Sequence, residues 1–215
     1  MRIAITQRVE QIPGHDERRD CLDQRWSTLM ENLGIDLVPV PNGMSSVGGW
    51  LERQNVAGLI LSGGNDLTHL PGAVNTSPER DSTEVALLGK ASEMNLPVLA
   101  VCRGMQMLNH FLGGSLTPLQ GHVNCTHAIH GREQSPLMAA YRQVNSFHGW
   151  GIQPDDLAEN LVAQAWADDG SIEAFIHSYH PWTAIMWHPE RPSANTILDA
   201  KLIRQIFFSK DTPCA

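Results

Sequence analysis

At 215 residues the chain is long enough to close one core of ordinary size, and nothing in it calls for a second domain, so a single domain over 1–215 is expected. Fifteen Lys and Arg against 23 Asp and Glu leave a net charge of −8 with no basic stripe, which argues against nucleic acid and anionic membrane as partners. The opening MRIAITQRVEQ lacks the apolar core of a leader, and no run approaches the roughly 18 to 20 apolar residues of a membrane span, so a cytoplasmic enzyme is expected.

Through the first half, short apolar runs alternate with helix-like segments, the pattern of strands and crossover helices around a parallel sheet. RIAIT (2–6) is the first strand. From Arg18 to Leu33 the set Leu22, Trp26, Leu29, Met30 and Leu33 falls at helical spacing, and Gly34 is placed to stop that helix. IDLVPVP and AGLILSGG are further strands, the second ending in glycines where the backbone must turn sharply. ERDSTEVALLGKASEMN is helical and leads through Pro97 to the strand PVLAV. After Ser115, Pro118, Gly121, Gly131 and Pro136 punctuate a loop-rich stretch. LVAQAWA, SIEAFIHS and WTAIMW then suggest antiparallel strands, and NTILDAKLIRQIFF a closing helix.

The strand PVLAV runs straight into Cys102, Arg103 and Gly104 and then into a helix-period pattern that ends at Gly113-Gly114. Such a junction leaves Cys102 on a tight turn at the carboxyl end of the sheet, where the unpaired amides and positive dipole of the next helix favour a thiolate. Alone, a cysteine after an apolar strand is more often a small buried apolar residue than a nucleophile. A partner base is available in WHPE, where His188 follows a strand and Glu190 stands two residues on; a histidine there can deprotonate the thiol while a carboxylate fixes its tautomer. Oxyanion donors are available in the amide of Arg103 and in a glycine amide of SGGND, best placed at Gly64. The other cysteines, Cys21, Cys125 and Cys214, form no CxxC pair and are expected to be free thiols.

SGGND (62–66), CRGMQ (102–106) and WHPE (187–190), in that order, together with ITQR, ERD (79–81), LNHFLGGSL, VNSFHGWGI and IEAF, resemble the class I glutamine amidotransferase superfamily and its stand-alone gamma-glutamyl hydrolase branch over nearly the whole chain. The resemblance implies an α/β three-layer sandwich with a central, mostly parallel, flavodoxin-like sheet and a nucleophile elbow. It assigns Cys102 as nucleophile, His188 as base and acid, Glu190 as its orienter, and Gly64 and Arg103 as oxyanion donors. Gln106 and the segment Val144, Asn145 and Ser146 would hold the ends of the glutamyl group. No cofactor is implied, and the partner is a small-molecule gamma-glutamyl amide; a homodimer is compatible with the sequence.

Within that branch the gamma-glutamyl-aminobutyrate hydrolases are typically longer, and the compact length with RRDCLDQRW, NSFH and MWHPER is more similar to gamma-glutamyl-CDP-amidate hydrolases of capsule phosphoramidate biosynthesis. Arg8, Arg19, Arg25 and Arg191 are then candidates to meet a pyrophosphate, Arg8 first, although solvation is the ordinary role of each. His122, His127 and His130 cluster in sequence, but no compact Cys/His framework accompanies them, so no metal is expected; His122, His127 and His148 are candidates for the pocket wall. Two competing functions use the same scaffold: a glutaminase subunit that passes ammonia to a synthase partner, and a non-catalytic sensor or chaperone, which would have no need of His188 and Glu190.

Overall fold

The structure, a computed structural model, describes residues 1–208; Cys214 lies outside them. Strands β1 (Arg2–Thr6), β4 (Asp36–Val40), β5 (Leu59–Leu61), β6 (Val98–Val101), β8 (Val123–Gly131), β9 (Gln143–Phe147), β11 (Leu161–Ala167), β12 (Ile172–His177) and β13 (Trp182–Ile185) form one nine-stranded sheet in the order β4-β1-β5-β6-β13-β12-β11-β8-β9. Neighbours are parallel from β4 to β13 and antiparallel from β13 to β9. Thus β13, expected among antiparallel strands, is parallel to β6 on one side and antiparallel to β12 on the other.

Period-two alternation in the central strands divides the apolar residues between two faces. Ala4, Leu59, Leu61, Val98, Ala100 and Ala184 join the core under α2 (Val47–Gln54), α3 (Pro78–Glu93) and α4 (Arg103–Phe111). Ile3, Ile5, Ile60, Leu99, Val101 and Ile185 join the opposite core, under α1 (Gln24–Glu31), α5 (Pro136–Ala140) and α6 (Thr196–Phe208). Three layers result, as expected.

Two segments differ from expectation. Arg18–Cys21 is not helical but forms β3, paired antiparallel with β2 (Arg8–Gln11), and α1 begins only after Asp23, whose carboxylate caps the amide of Arg25. A local cap and a hairpin partner outweigh a helical period that Leu22 merely extends. The stretch after Ser115 holds more than loops: β7 (Thr117–Pro118) pairs with β10 (Trp150–Gly151), while the nine-residue β8 and β9 close the sheet. Their small and polar residues hide the apolar alternation that would mark a strand.

Candidate functional site

Cys102 sits between β6 and α4 with φ 52° and ψ −108°, a conformation that non-glycine residues rarely adopt. Its amide donates to Ile185 O at 2.9 Å and its carbonyl accepts from the Gln106 amide at 3.1 Å, so the turn is tied to β13 on one side and to the first helical turn on the other. Gly104 makes the approach possible. A Cβ there would lie 2.3 Å from Leu61 O, so the helix can seat against β5 only with no side chain at that position.

His188, three residues past β13, faces the thiol. Its Nδ1 is 2.7 Å from Glu190 Oε1, which leaves Nε2 as the ring nitrogen open to the sulfur. Burial pushes the Cys102 thiol up, but the charge on His188, assisted by His148 and the Arg103 amide, more than offsets this and leaves it lowered. Burial likewise disfavours the charged imidazole, yet Cys102 and then Glu190 hold His188 up to about 10. The site therefore favours a thiolate and imidazolium pair. Asn145 fixes the strand end, its Oδ1 accepting from the His188 amide at 2.9 Å and its Nδ2 donating to the His188 carbonyl at 3.0 Å.

The SGGND turn lies opposite. A Cβ on Gly63 would meet His188 Cε1 at 2.6 Å, and Gly64 adopts φ +89° beside the Arg8 side chain. Behind the turn stands Arg80 of α3, fully buried: Nη2 donates to Ser62 O at 2.7 Å, and Nη1 to Gly63 O at 3.1 Å and Gly64 O at 2.9 Å. With these three carbonyls held from behind, the peptide planes are fixed against rotation. Arg80 in turn pairs with Glu84 at 2.9 Å, and the Arg103 side chain completes the network through Glu84 and Asp81. Burial keeps Glu84 from being an easy anion, but Arg103 and Arg80 outweigh it and hold its carboxyl below the usual range.

A cleft of about 220 Å³ brings Cys102, Gly63, Gly64, His188 and Glu190 together with Arg8, Phe147 and Arg191. Arg8 is half exposed and pairs with Glu10, and the Arg191 guanidinium lies over the Phe147 ring, 3.8 Å from its centroid. Arg19 and Arg25 are not at the cleft; they pair with Glu17 and Asp23. Nor do the side chains of Val144 and Ser146 face it. On β9 they alternate inward, Val144 into the core and Ser146 Oγ donating to His122 O at 2.6 Å, while the Asn145 amide is engaged by His188. Gln106 is buried and donates to Trp150 O at 2.8 Å. His148 and His122 lie off the cleft, grouped with His127 and Glu173. Sequence alone gave no sign of Arg80 beyond its place in ERD, or of Asn145 as a brace; the signal available was an Arg four residues before a Glu on an otherwise amphipathic helix. Cys21, Cys102 and Cys125 are free.

Fold and site define a class of protein: an enzyme on the class I glutamine amidotransferase scaffold. The glutaminase domain of Trypanosoma brucei CTPS superposes with a TM-score of 0.69 at 15% identity, covering 100% of this chain and 96% of that one. A glutamine amidotransferase from Thermotoga maritima gives 0.63 at 18% identity over 95% and 82%. The peptidase C26 model matches residues 3–190. Gamma-glutamyl-CDP-amidate hydrolase of Campylobacter jejuni is 31% identical over 208 residues, covering 96% of this chain and 98% of its own. Gamma-glutamyl-gamma-aminobutyrate hydrolase of Escherichia coli is 30% identical over 148 residues, 58% of each. The chain belongs to the peptidase C26 family and is a hydrolase of its gamma-glutamyl amide group. No helix among the described residues is long and apolar enough to cross a membrane.

Proposed function

We propose that this enzyme hydrolyses a gamma-glutamyl amide to glutamate and a free amine through Cys102, His188 and Glu190, and that the natural leaving amine is linked to a nucleotide diphosphate. The observation that carries the chemistry is a cysteine at positive φ on the amino end of a helix, facing a histidine whose other nitrogen is held 2.7 Å from a carboxylate. The Cys102 thiolate attacks the gamma-carbonyl carbon and forms a C–S bond. The negative charge that develops on the carbonyl oxygen is met by the amides of Arg103 and Gly64, the second presented by the turn that Arg80 braces. His188 gives its proton to the departing nitrogen as the C–N bond breaks, leaving a glutamyl thioester. A water then delivers its proton to His188 as its oxygen attacks the thioester carbonyl, and the thiolate leaves. One amide and one water are consumed; glutamate and one amine are released.

The leaving group is argued from the mouth of the cleft. Arg8 and Arg191 both line the cleft that holds Cys102, and guanidinium forks suit phosphate oxygens. Similarity to the Campylobacter jejuni enzyme extends over nearly the whole of both chains, which supports a nucleotide-linked amidate over a small amine. The test is a panel of gamma-glutamyl amides, with L-glutamine, gamma-glutamyl-aminobutyrate and a gamma-glutamyl nucleotide amidate, assayed for glutamate release by the purified chain without added proteins. The nucleotide amidate should be turned over fastest, and Arg8→Ala should raise its KM by about tenfold, the worth of one charge-assisted contact, with little change for gamma-glutamyl-aminobutyrate. Faster turnover of the small amide, with neither substrate selectively affected by Arg8→Ala, would contradict the nucleotide assignment. Release that depends on an added synthase would instead favour an ammonia-supplying subunit.

A further inference from the structure

Four side chains that take no direct part in the proposed hydrolysis converge at the antiparallel half of the sheet: His122 just before β8, His127 within it, His148 in the turn after β9, and Glu173 on β12. One ligand atom from each lies within 4.8 Å of the other three. Glu173 Oε1 is 3.7 Å from His122 Nδ1, 3.7 Å from His127 Nε2 and 3.6 Å from His148 Nε2, all beyond hydrogen-bond length. None of these atoms, nor Glu173 Oε2, has a hydrogen-bond partner among the described residues, although Glu173 is only 1% exposed and His148 4%.

The outward nitrogens explain why this is costly. His127 Nδ1 is 3.0 Å from Ala128 O and His148 Nδ1 is 3.0 Å from Trp150 O; a carbonyl can only accept, so each of these nitrogens carries the hydrogen. His122 Nε2 meets the Asp169 carboxylate at 2.9 Å with the same consequence. In the neutral rings the inward nitrogens are therefore bare lone pairs, and they face a carboxylate. With the rings neutral, four acceptors converge on one buried point with no donor between them. A single extra proton on one ring would relieve one contact and leave the others facing each other. A divalent cation accepts from all four at once.

We infer that His122, His127, His148 and Glu173 form a binding site for a divalent transition-metal ion of the zinc class, held by three imidazole nitrogens and one carboxylate oxygen. Imidazole donors suit zinc over magnesium or calcium, which take oxygen, and four ligands match its tetrahedral preference. The outward bonds from each ring to a carboxylate or carbonyl are the supports that metal-bound imidazoles use to fix tautomer and orientation. Such an ion ties β8, the turn after β9 and β12 together. It also fixes the ring of His148, which is near enough to Cys102 to interact with it electrostatically. His130, the third histidine of the sequence cluster, takes no part; it is exposed and pairs with Asp168.

The test uses the full chain carrying Cys102→Ser, so that the nucleophile cannot ligate metal. After treatment with a chelator the protein is dialysed against Zn²⁺ or Co²⁺, and metal content and the cobalt visible spectrum are measured. One ion per chain is expected, with tetrahedral cobalt bands and no thiolate-to-cobalt absorption in the near ultraviolet. His127→Ala and Glu173→Gln, each shown by circular dichroism to be folded, should bind at least about tenfold more weakly. Failure of the Cys102→Ser chain to retain stoichiometric zinc would overturn the assignment, as would equal retention by His127→Ala and Glu173→Gln, or cobalt spectra dominated by thiolate. Because the readout is metal content and not glutamate release, it stands or falls independently of the proposed reaction.

Discussion

Holding Cys102 at φ 52° costs on the order of 1–3 kcal/mol, which the Ile185 carbonyl and the α4 amides offset, and it aims the sulfur at His188. In the proposed triad, His188→Ala should reduce kcat at least about a thousandfold, whereas Glu190→Gln, which loses only orientation and charge support, should retain more activity. Comparable activity of His188→Ala and wild type in a glutamate-release assay would remove the histidine from the mechanism. The pH profile of kcat/KM should climb through the lowered pKa of the Cys102 thiol and fall near pH 10 as His188 loses its proton, each limb belonging to the coupled pair. A second buried residue controls stability. Asp199 accepts from Tyr141 Oη at 2.9 Å and from Trp187 Nε1 at 3.0 Å, and burial pushes its carboxyl up from 3.8 to about 6. The folded chain then binds more protons than the unfolded one in that window. The contribution of Asp199 to stability is therefore fully present below pH 3.8 and declines as pH rises through about 6, by on the order of 3 kcal/mol. Asp199→Asn keeps an acceptor for both donors and should flatten the melting temperature over that range; an unchanged slope would show that Asp199 is not its source.

At the scale of elements, the site depends on how closely α4 and α3 approach the ends of β5 and β6. Gly104→Ala would place a methyl 2.3 Å from a main-chain oxygen that cannot swing away, so the helix must move. The expected cost is at least about 1–3 kcal/mol in denaturant unfolding, with a loss of turnover larger than the loss of folded protein. Retention of both stability and activity would mean that the strand and helix do not need this contact. The need for glycine at 104 is legible in the sequence, because a glycine two residues after a cysteine at a strand-to-helix junction has few other uses. Arg80 is not legible in that way. A charged residue in the first turn of a helix normally meets water, and only the fold brings the carbonyls of Ser62, Gly63 and Gly64 to its guanidinium. The β2–β3 hairpin is hidden for a related reason, since Leu22 continues a helical period that stops physically at the Asp23 cap.

Across the whole molecule, the parallel half announces itself in sequence because its strands are buried on both faces and form unbroken apolar runs. In the antiparallel half, β8 is half-exposed and carries His, Asn and Thr, and it therefore resembles loop until β9 and β11 pair with it. The same contrast holds for function. Cys102, His188 and Glu190 are found from local patterns at strand ends, while the group of His122, His127, His148 and Glu173 is assembled from three separate segments and exists only after folding. The central claim, that this chain by itself is a cysteine-dependent gamma-glutamyl amide hydrolase, is tested most directly by glutamate release from a gamma-glutamyl amide, comparing wild type with Cys102→Ala. Circular dichroism and melting should coincide for the two, since the change removes one sulfur from a turn and little packed volume. Wild type should release glutamate without any partner, and Cys102→Ala should fall to background; substantial turnover by folded Cys102→Ala would contradict the account.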